Sequence, residues 1–284
     1  IAVNHPSIIA SIDVGERVFI DDGNIGLKAE KCANGKVSLR VLNPGTLLPA
    51  KGINLPDSVV QMPTIGAKDR RDIKTAVSSG ADFVALSFVR SAQDVLTARK
   101  LIKNAGGKQR IIAKLEKRES IESLEAIMDV SDGVMIARGD LGVELPPERL
   151  PNLQKRIVEL ANLHRQPVIV ATQMLESMRF SPRPTRAEVN DVATAVFDHA
   201  DAVMLSAETA TGKYPLETVR MMAAVISASE ERREVNSGMI VRDLTDKIEP
   251  HLVSRMVGAI SDDSVIKVIF AFTTSGFTAE LIAN

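Results

Sequence analysis

The chain is 284 residues long, 45% hydrophobic and almost charge-balanced at a formal net charge of −1, enough apolar content for one large core or two modest ones. No basic tract and only 3% aromatic residues argue against nucleic-acid binding. The lone cysteine, Cys32, rules out an internal disulfide and fits a reducing compartment, and no apolar run approaches the roughly 18–20 residues of a membrane span.

The first fifty-odd residues read as short strands. Arg17–Ile20 runs into Asp21-Asp22-Gly23-Asn24 and then Ile25–Glu30, and Asn34-Gly35 leads into Lys36–Val41. Asp-Gly and Asn-Gly between alternating apolar residues are hairpin signals. Lys51–Pro56 is an extended exit segment, so residues 1–57 are expected to form a small antiparallel β domain. After Pro63 the pattern changes. Lys68–Ser79 reads as a helix and Asp82–Val89 as a buried strand. Four further apolar strands follow, each after a helix: Arg110–Lys114, Gly133–Ala137, Pro167–Thr172 and Ala202–Ser206. This alternation implies βαβ units and a parallel sheet over residues 58–232. A long helix is expected over Pro215–Arg233 and another over Glu249–Ile260. Val265–Phe272 then reads as a strand, so residues 233–284 look like the opening of a third, α/β domain. The start at Ile1 and the abrupt end point to a piece of a longer chain, and no leader-like segment opens it.

A parallel sheet can be doubly wound or closed into a (β/α)8 barrel. Every predicted strand here ends in polar residues: Ser87; Lys114 and Glu116; Arg138 and Asp140; Thr172 and Gln173; Ser206 and Glu208. A barrel gathers all strand ends at one mouth, whereas a doubly wound sheet concentrates its site at a switch point. The pattern favours an incomplete barrel of about five strands. Neither a G-x-G-x-x-G nor a P-loop motif is present.

Lys114 and Glu116 are two residues apart, which places both on one face of a strand. Together they could bind an anionic substrate and a metal, or form an exposed strand-end ion pair of little consequence. In Ala137-Arg138-Gly139-Asp140-Leu141-Gly142 the glycines permit close approach of main-chain N–H groups to an anion, and Asp140 is a hard oxygen ligand. Glu116 and Asp140 on neighbouring strands would make a two-carboxylate Mg²⁺ site; the plainer alternative for Asp140 is a helix cap. Thr172 could hydrogen-bond a carboxylate or pass a proton, or could cap a helix. Thr185 to Glu188 has the spacing of a capping box, with Arg183 and Arg186 either binding phosphate or pairing with acids at a subunit contact. His5, His164, His199 and Cys32 lack metal-ligand spacing.

Taken together, these segments resemble pyruvate kinase. Ile111–Ile121 is similar to the family's active-site signature. Ala137–Gly142, Ala171–Met178, Pro182–Glu188 and Met204–Pro215 resemble further family blocks in the right order, and Asp21-Asp22-Gly23 with Lys51–Pro56 resembles its lid domain. The resemblance implies phosphoryl transfer from phosphoenolpyruvate to ADP, giving pyruvate and ATP, in a cytoplasmic homotetramer using Mg²⁺ or Mn²⁺, with K⁺ ligands outside this chain. By the same resemblance Lys114 would neutralise the phosphoryl group in flight. Glu116 and Asp140 would hold the metal. The main chain at Gly139 and Asp140, with Thr172, would hold the pyruvate part, Thr172 lying near the face where the enolate is protonated. Lys51 would touch the nucleotide phosphates. The family's three leading barrel strands, with a phosphate-binding arginine, have no counterpart here. Thr273–Thr278 is similar to the family's phosphosugar effector loop, with Phe277 where a more polar or basic residue is common, and His199 stands where glycine is common. Two other readings remain: a metal-dependent aldolase or lyase on a related barrel, and a truncated, non-catalytic binding module. The chain alone is expected to be inactive.

Overall fold

A computed structural model of the chain describes residues 2–3, 5–49, 51–58, 60 and 62–231, then 257, 268–274, 276, 278–279 and 282. A short helix, α1 (Pro6–Ala10), leads into four strands: β1 (Arg17–Ile20), β2 (Ile25–Ala33), β3 (Lys36–Val41) and β4 (Ile53–Asn54). They form an antiparallel sheet in the order β3-β2-β1-β4. Alternation decides its inner face: Val18, Ile20, Ile25, Leu27 and Ala29 join Ile12 and Leu55 in one small core. Asn34 and Gly35 have φ of 52° and 67°, the paired positive values of a type I′ turn.

The expected strand Ile25–Glu30 runs on to Ala33. A bulge between Ala29 and Lys31 carries β2 away from the core, so backbone pairing continues after the apolar alternation has stopped. Of the extended segment Lys51–Pro56, only Ile53 and Asn54 pair, with Ile20 and Phe19.

The second sheet is parallel, in the order β5-β6-β7-β8-β9: Phe83–Leu86, Arg110–Leu115, Gly133–Ala137, Val168–Ala171 and Ala202–Met204. Helix α2 (Ala67–Ser78) precedes it. Between its strands lie α3 (Ala92–Asn104), α4 (Arg118–Glu122), α5 (Leu124–Met128), α6 (Arg138–Glu144), α7 (Leu150–His164) and α8 (Arg186–Phe197). α9 (Ala207–Ala210) and α10 (Pro215–Glu230) follow. Thr185 caps α8, its hydroxyl accepting the Glu188 N–H while the Glu188 carboxylate accepts the Thr185 N–H, as the spacing predicts.

The large core answers the question of barrel against doubly wound sheet. Outward residues of the strands (Ile111, Ala113, Leu115, Val134, Ile136, Val168, Val170) pack with buried residues of α3, α5, α6, α7, α8 and α10. The opposite face carries a separate cluster of Ile112, Met135 and Ala171, against which Ile169 and Met204 pack. No helical residue belongs to that second cluster. Helices on one face only are what a barrel wall has; a doubly wound sheet carries them on both. Central β7 is buried at every position, whereas β5 and β9 are largely open, so among the described residues the wall has two free edges.

Two aspartates finish the lower rim. Asp132, just before β7, accepts the Ile111 N–H at 2.7 Å, and Asp201, just before β9, accepts the Val168 N–H at 2.8 Å. Each satisfies a donor at the start of the neighbouring strand that the ladder leaves unpaired.

Some expectations change. The strand expected over Asp82–Val89 ends at Leu86, because Phe88 adopts φ 55° and turns the chain. Thr172 caps no helix: it and Gln173 have φ of 71° and 55°, and only a 3-10 turn, Glu176–Arg179, follows. Asp140 lies in the first turn of α6, where Ala137 occupies the cap position. Residues 268–272, the described part of the expected strand Val265–Phe272, form no strand; they pair with no neighbour among the described residues. Except for residue 257, the helix expected over Glu249–Ile260 lies outside the described residues.

Candidate active site

Alternation along β6 builds the centre of the site. Ile111, Ala113 and Leu115 face the helices, so Ile112, Lys114 and the following Glu116 share the inner face. Ile112 is in the inner cluster, and the two charged residues stand above it at the strand's C-terminal end. Lys114 Nζ lies 2.6 Å from Glu116 Oε1 and donates to Ser87 Oγ at 3.0 Å. Glu116 Oε2 accepts the Phe88 N–H at 2.7 Å. Glu116 is only 1% exposed. The strand-end ion pair is therefore present but buried, where a lost partner is far more costly than at a surface.

One strand further on, β7 delivers Arg138, Gly139 and Asp140 into the first turn of α6. Burial pushes the Asp140 pKa up, and the negative charges of Glu116 and Asp22 push it further. Lys114 and Lys117 oppose these effects without cancelling them. Glu116 and Asp140 therefore lie within each other's field, and Asp22, in the β1–β2 turn, adds a third negative charge.

The next strand end supplies Thr172. Its hydroxyl accepts the Gly139 N–H at 2.7 Å and donates to the Ala171 carbonyl at 2.5 Å. Arg138 reaches back to the Thr172 carbonyl at 2.9 Å while pairing with Asp191 at 2.6 Å. Farther round the loop, Glu188 accepts the N–H and hydroxyl of Ser177. Burial alone would raise the Glu188 pKa; the bonds from Ser177 and Thr185 more than offset it and hold it low. Glu208, fully buried, accepts from the Leu175 and Ser206 N–H groups and ties the ends of β8 and β9 together.

Lys114, Glu116, Gly139, Asp140 and Thr172 thus come together at one end of the inner face. The Lys51 ammonium pairs with Asp21, in the β1–β2 turn, at 2.6 Å. Arg183 and Arg186 are exposed and form no ion pair among the described residues. His199 has φ 68°, a conformation glycine adopts freely. Sequence reasoning missed the Phe88 main chain as a Glu116 donor, the approach of Asp22 to Asp140, and a buried pair between Lys117 and Glu144. No sequence pattern marks the first two; the third joins residues 27 apart.

Glu116 and Asp140 suit a hard divalent cation. Each Glu116 oxygen keeps a second lone pair beyond its present bond. Burial first, and then the charges of Glu116 and Asp22, raise the Asp140 pKa, and a bound cation would favour its charged form. Among the described residues no third carboxylate, histidine or cysteine converges with them as a metal-binding group. Two protein ligands with water and substrate oxygens completing the shell is the arrangement Mg²⁺ commonly takes.

Comparison with known proteins identifies relatives of the chain. The family model described as pyruvate kinase, barrel domain, matches residues 1–219. A pyruvate kinase of Agrobacterium vitis is 42% identical over 288 residues, covering 100% of this chain and 58% of the relative. One from Staphylococcus saprophyticus is 42% identical over 289 residues, covering 49% of the relative. A crystal structure of a pyruvate kinase from Cryptosporidium parvum superposes with a TM-score of 0.87 at 36% identity, covering 97% of this chain and 59% of that one. The chain spans about half the length of the curated relatives it matches. It belongs to the pyruvate kinase family.

Proposed function

We propose that the protein transfers a phosphoryl group from phosphoenolpyruvate to ADP, giving pyruvate and ATP, and that these residues carry the metal and enolate part of its site. The buried Lys114–Glu116 pair on the inner face, beside Asp140, carries the reading. In this reaction the ester P–O bond of phosphoenolpyruvate breaks, a β-phosphate oxygen of ADP bonds to phosphorus, and the released enolate takes a proton at carbon. Positioning and charge neutralisation do most of the work. Lys114 has its ammonium on the open side of the inner face, where it can follow the negative charge of the moving group. Glu116 and Asp140 would hold Mg²⁺ or Mn²⁺, which when bound supplies Lewis-acid polarisation of substrate oxygens. The Gly139 N–H is bonded to Thr172, so a substrate carboxylate recruited to that main chain must displace the Thr172 hydroxyl. That displacement frees an acceptor lone pair, and the hydroxyl donates toward the enolate only once it also leaves the Ala171 carbonyl.

Lys51 is assigned to the nucleotide phosphates, for which it would exchange its bond to Asp21. We assign residues 1–57 to a lid, 58–232 to a barrel segment and 233–284 to the start of a C-terminal domain. K⁺ ligands outside this chain, a homotetrameric assembly and a cytoplasmic location complete the proposal. No helix among the described residues is long and apolar enough to cross a membrane. Family membership and the lid sheet ahead of the strands favour this reading over a lyase.

The test is Lys114→Met in the intact protein. It should lower kcat by about 10²–10³ while leaving phosphoenolpyruvate binding much less affected. A change confined to KM would reassign Lys114 to ground-state binding.

A further inference from the structure

Helix α6 meets two separate parts of the lid sheet through adjacent residues. At Gly23, in the β1–β2 turn, a Cβ built on the backbone would lie 3.7 Å from Val143, so the turn rests in contact with that side chain. Glu144, the next residue, takes the Lys117 ammonium at 2.5 Å and also interacts with the Asn54 amide of β4. The two lid parts are themselves joined: Asn54 pairs with Phe19 in the ladder, and the Asp21 N–H bonds the Gly52 carbonyl at 3.1 Å. Both polar partners are withdrawn from water, Glu144 at 6% exposure and Asn54 at 8%. Burial drives the Glu144 pKa up, and Lys117 and Asn54 only partly pull it back, so this is a charge kept dry by what covers it.

The chain leaving the lid is fixed independently. Arg90, two residues past Phe88, donates to the carbonyls of Val60 and Met62 at 3.0 and 2.7 Å and to the Thr64 hydroxyl at 2.9 Å. The lid thus has a pivot at Arg90 and a contact at α6. That contact lies at the end of the helix whose first turn holds Asp140, and Lys117 directly follows Glu116.

We propose that Glu144 is a positioning residue that seats the lid: with Val143 it binds the lid sheet to α6, so that lid orientation is set by the same helix and loop that carry Asp140 and Glu116. Truncating either Glu144 or Asn54 releases the seat and leaves the lid hanging from the Arg90 pivot.

Cys32 makes this measurable, because it is exposed, lies on β2 of the lid and is the sole cysteine of these residues. Nitroxides would be placed at Cys32 and at Glu159→Cys on the exposed face of α7, in the intact protein with cysteines outside this chain replaced. Pulsed dipolar spectroscopy without substrate then reads the lid-to-barrel distance. The parent should give one narrow distribution. Glu144→Ala and Asn54→Ala should each broaden it about twofold, as expected of a hinged element freed to move. The double variant should add nothing beyond either single one. Glu144→Gln, which keeps an acceptor for Asn54, should restore most of the narrow distribution. Glu122→Ala, which breaks the exposed Arg118–Glu122 pair, should change nothing. Unaltered widths in folded Glu144→Ala and Asn54→Ala would overturn the proposal. Should Glu144→Ala fail to fold, Asn54→Ala decides alone, since it leaves the Lys117–Glu144 pair in place. The measurement needs no turnover, so its outcome is separate from that of the kinetic test of Lys114.

Discussion

Replacing Lys114 with Met leaves the Glu116 carboxylate at 1% exposure with the Phe88 N–H as its remaining partner. At 2.6 Å and an effective dielectric of about 20, the attraction lost is about 6 kcal/mol before desolvation is counted. Part of that is recovered, because the Lys114 side chain is 24% exposed and its ammonium was not fully stripped of water. Breaking a buried pair from one side typically costs about 3–5 kcal/mol, and Lys114→Met should fall in that range. Glu116→Gln should cost less, about 1–3 kcal/mol, since the lysine keeps Ser87 at 3.0 Å and some solvent. The double variant buries no charge at all. It should be more stable than the sum of the single losses implies by at least about 2 kcal/mol. Urea unfolding of the intact protein in chelator, extrapolated linearly, measures all four corners of the cycle. Additivity within about 0.5 kcal/mol would show that the two charges are solvated independently, and would refute a buried pair at the head of β6.

Asp140→Asn should stabilise the metal-free protein at neutral pH. A carboxyl whose folded pKa is raised favours folding below its unfolded pKa and loses that contribution as pH rises through the folded value. Removing the charge should therefore gain up to about 1 kcal/mol above that window, discounted for partial solvation, with no gain in acid; Mg²⁺ should raise the Tm of the parent and not of the variant. Thr172→Val keeps the shape but orphans the Gly139 N–H, and thermal melts should show a loss of about 1–3 kcal/mol; Thr172→Ser keeps the bond and should lie within about 0.5 kcal/mol of the parent or above it. The 284 residues alone should turn over at less than about 1% of the intact protein's rate and should self-associate, since β5 and β9 offer open edges. A monodisperse preparation with normal turnover would overturn that expectation.

Much of the scaffold was legible because it rests on local period. Ile112, Lys114 and Glu116 alternate with Ile111, Ala113 and Leu115, and that alone separates the inner face from the helix-covered one. The capping box at Thr185 and the Asn34-Gly35 turn are local as well. What remained hidden depends on contacts between distant residues. Asp132 and Asp201 look like loop aspartates until the neighbouring strand brings an N–H to each. Glu144 reads as one polar residue at a helix end; its partners lie 27 residues away in Lys117 and on β4 of the first sheet in Asn54. Lys51 shows a different case. Its motif directs it to a nucleotide, while Asp21, whose carboxyl it holds below the usual range, is the partner at hand.

The remaining illegible feature is strain, and its location bears on function. Phe88, Thr172 and Gln173 adopt positive φ immediately beyond β5 and β8, and Asp21 and Asp22 do so in the β1–β2 turn. A β-branched residue such as Thr172 pays on the order of 1–3 kcal/mol for such a conformation and holds it only where its surroundings over-determine it. They do so here. The Phe88 N–H is bound by Glu116, the Thr172 hydroxyl by Gly139 and Ala171, and the Thr172 carbonyl by Arg138, itself anchored on Asp191. Each restraint runs to a residue at the mouth of the inner face or to one that supports it. Relaxing Phe88 into an extended strand would withdraw a donor from Glu116. Relaxing Thr172 would free the Gly139 main chain. The backbone therefore stores its strain where it keeps a buried carboxylate and a main-chain donor aimed, which is the arrangement that the proposed chemistry would use.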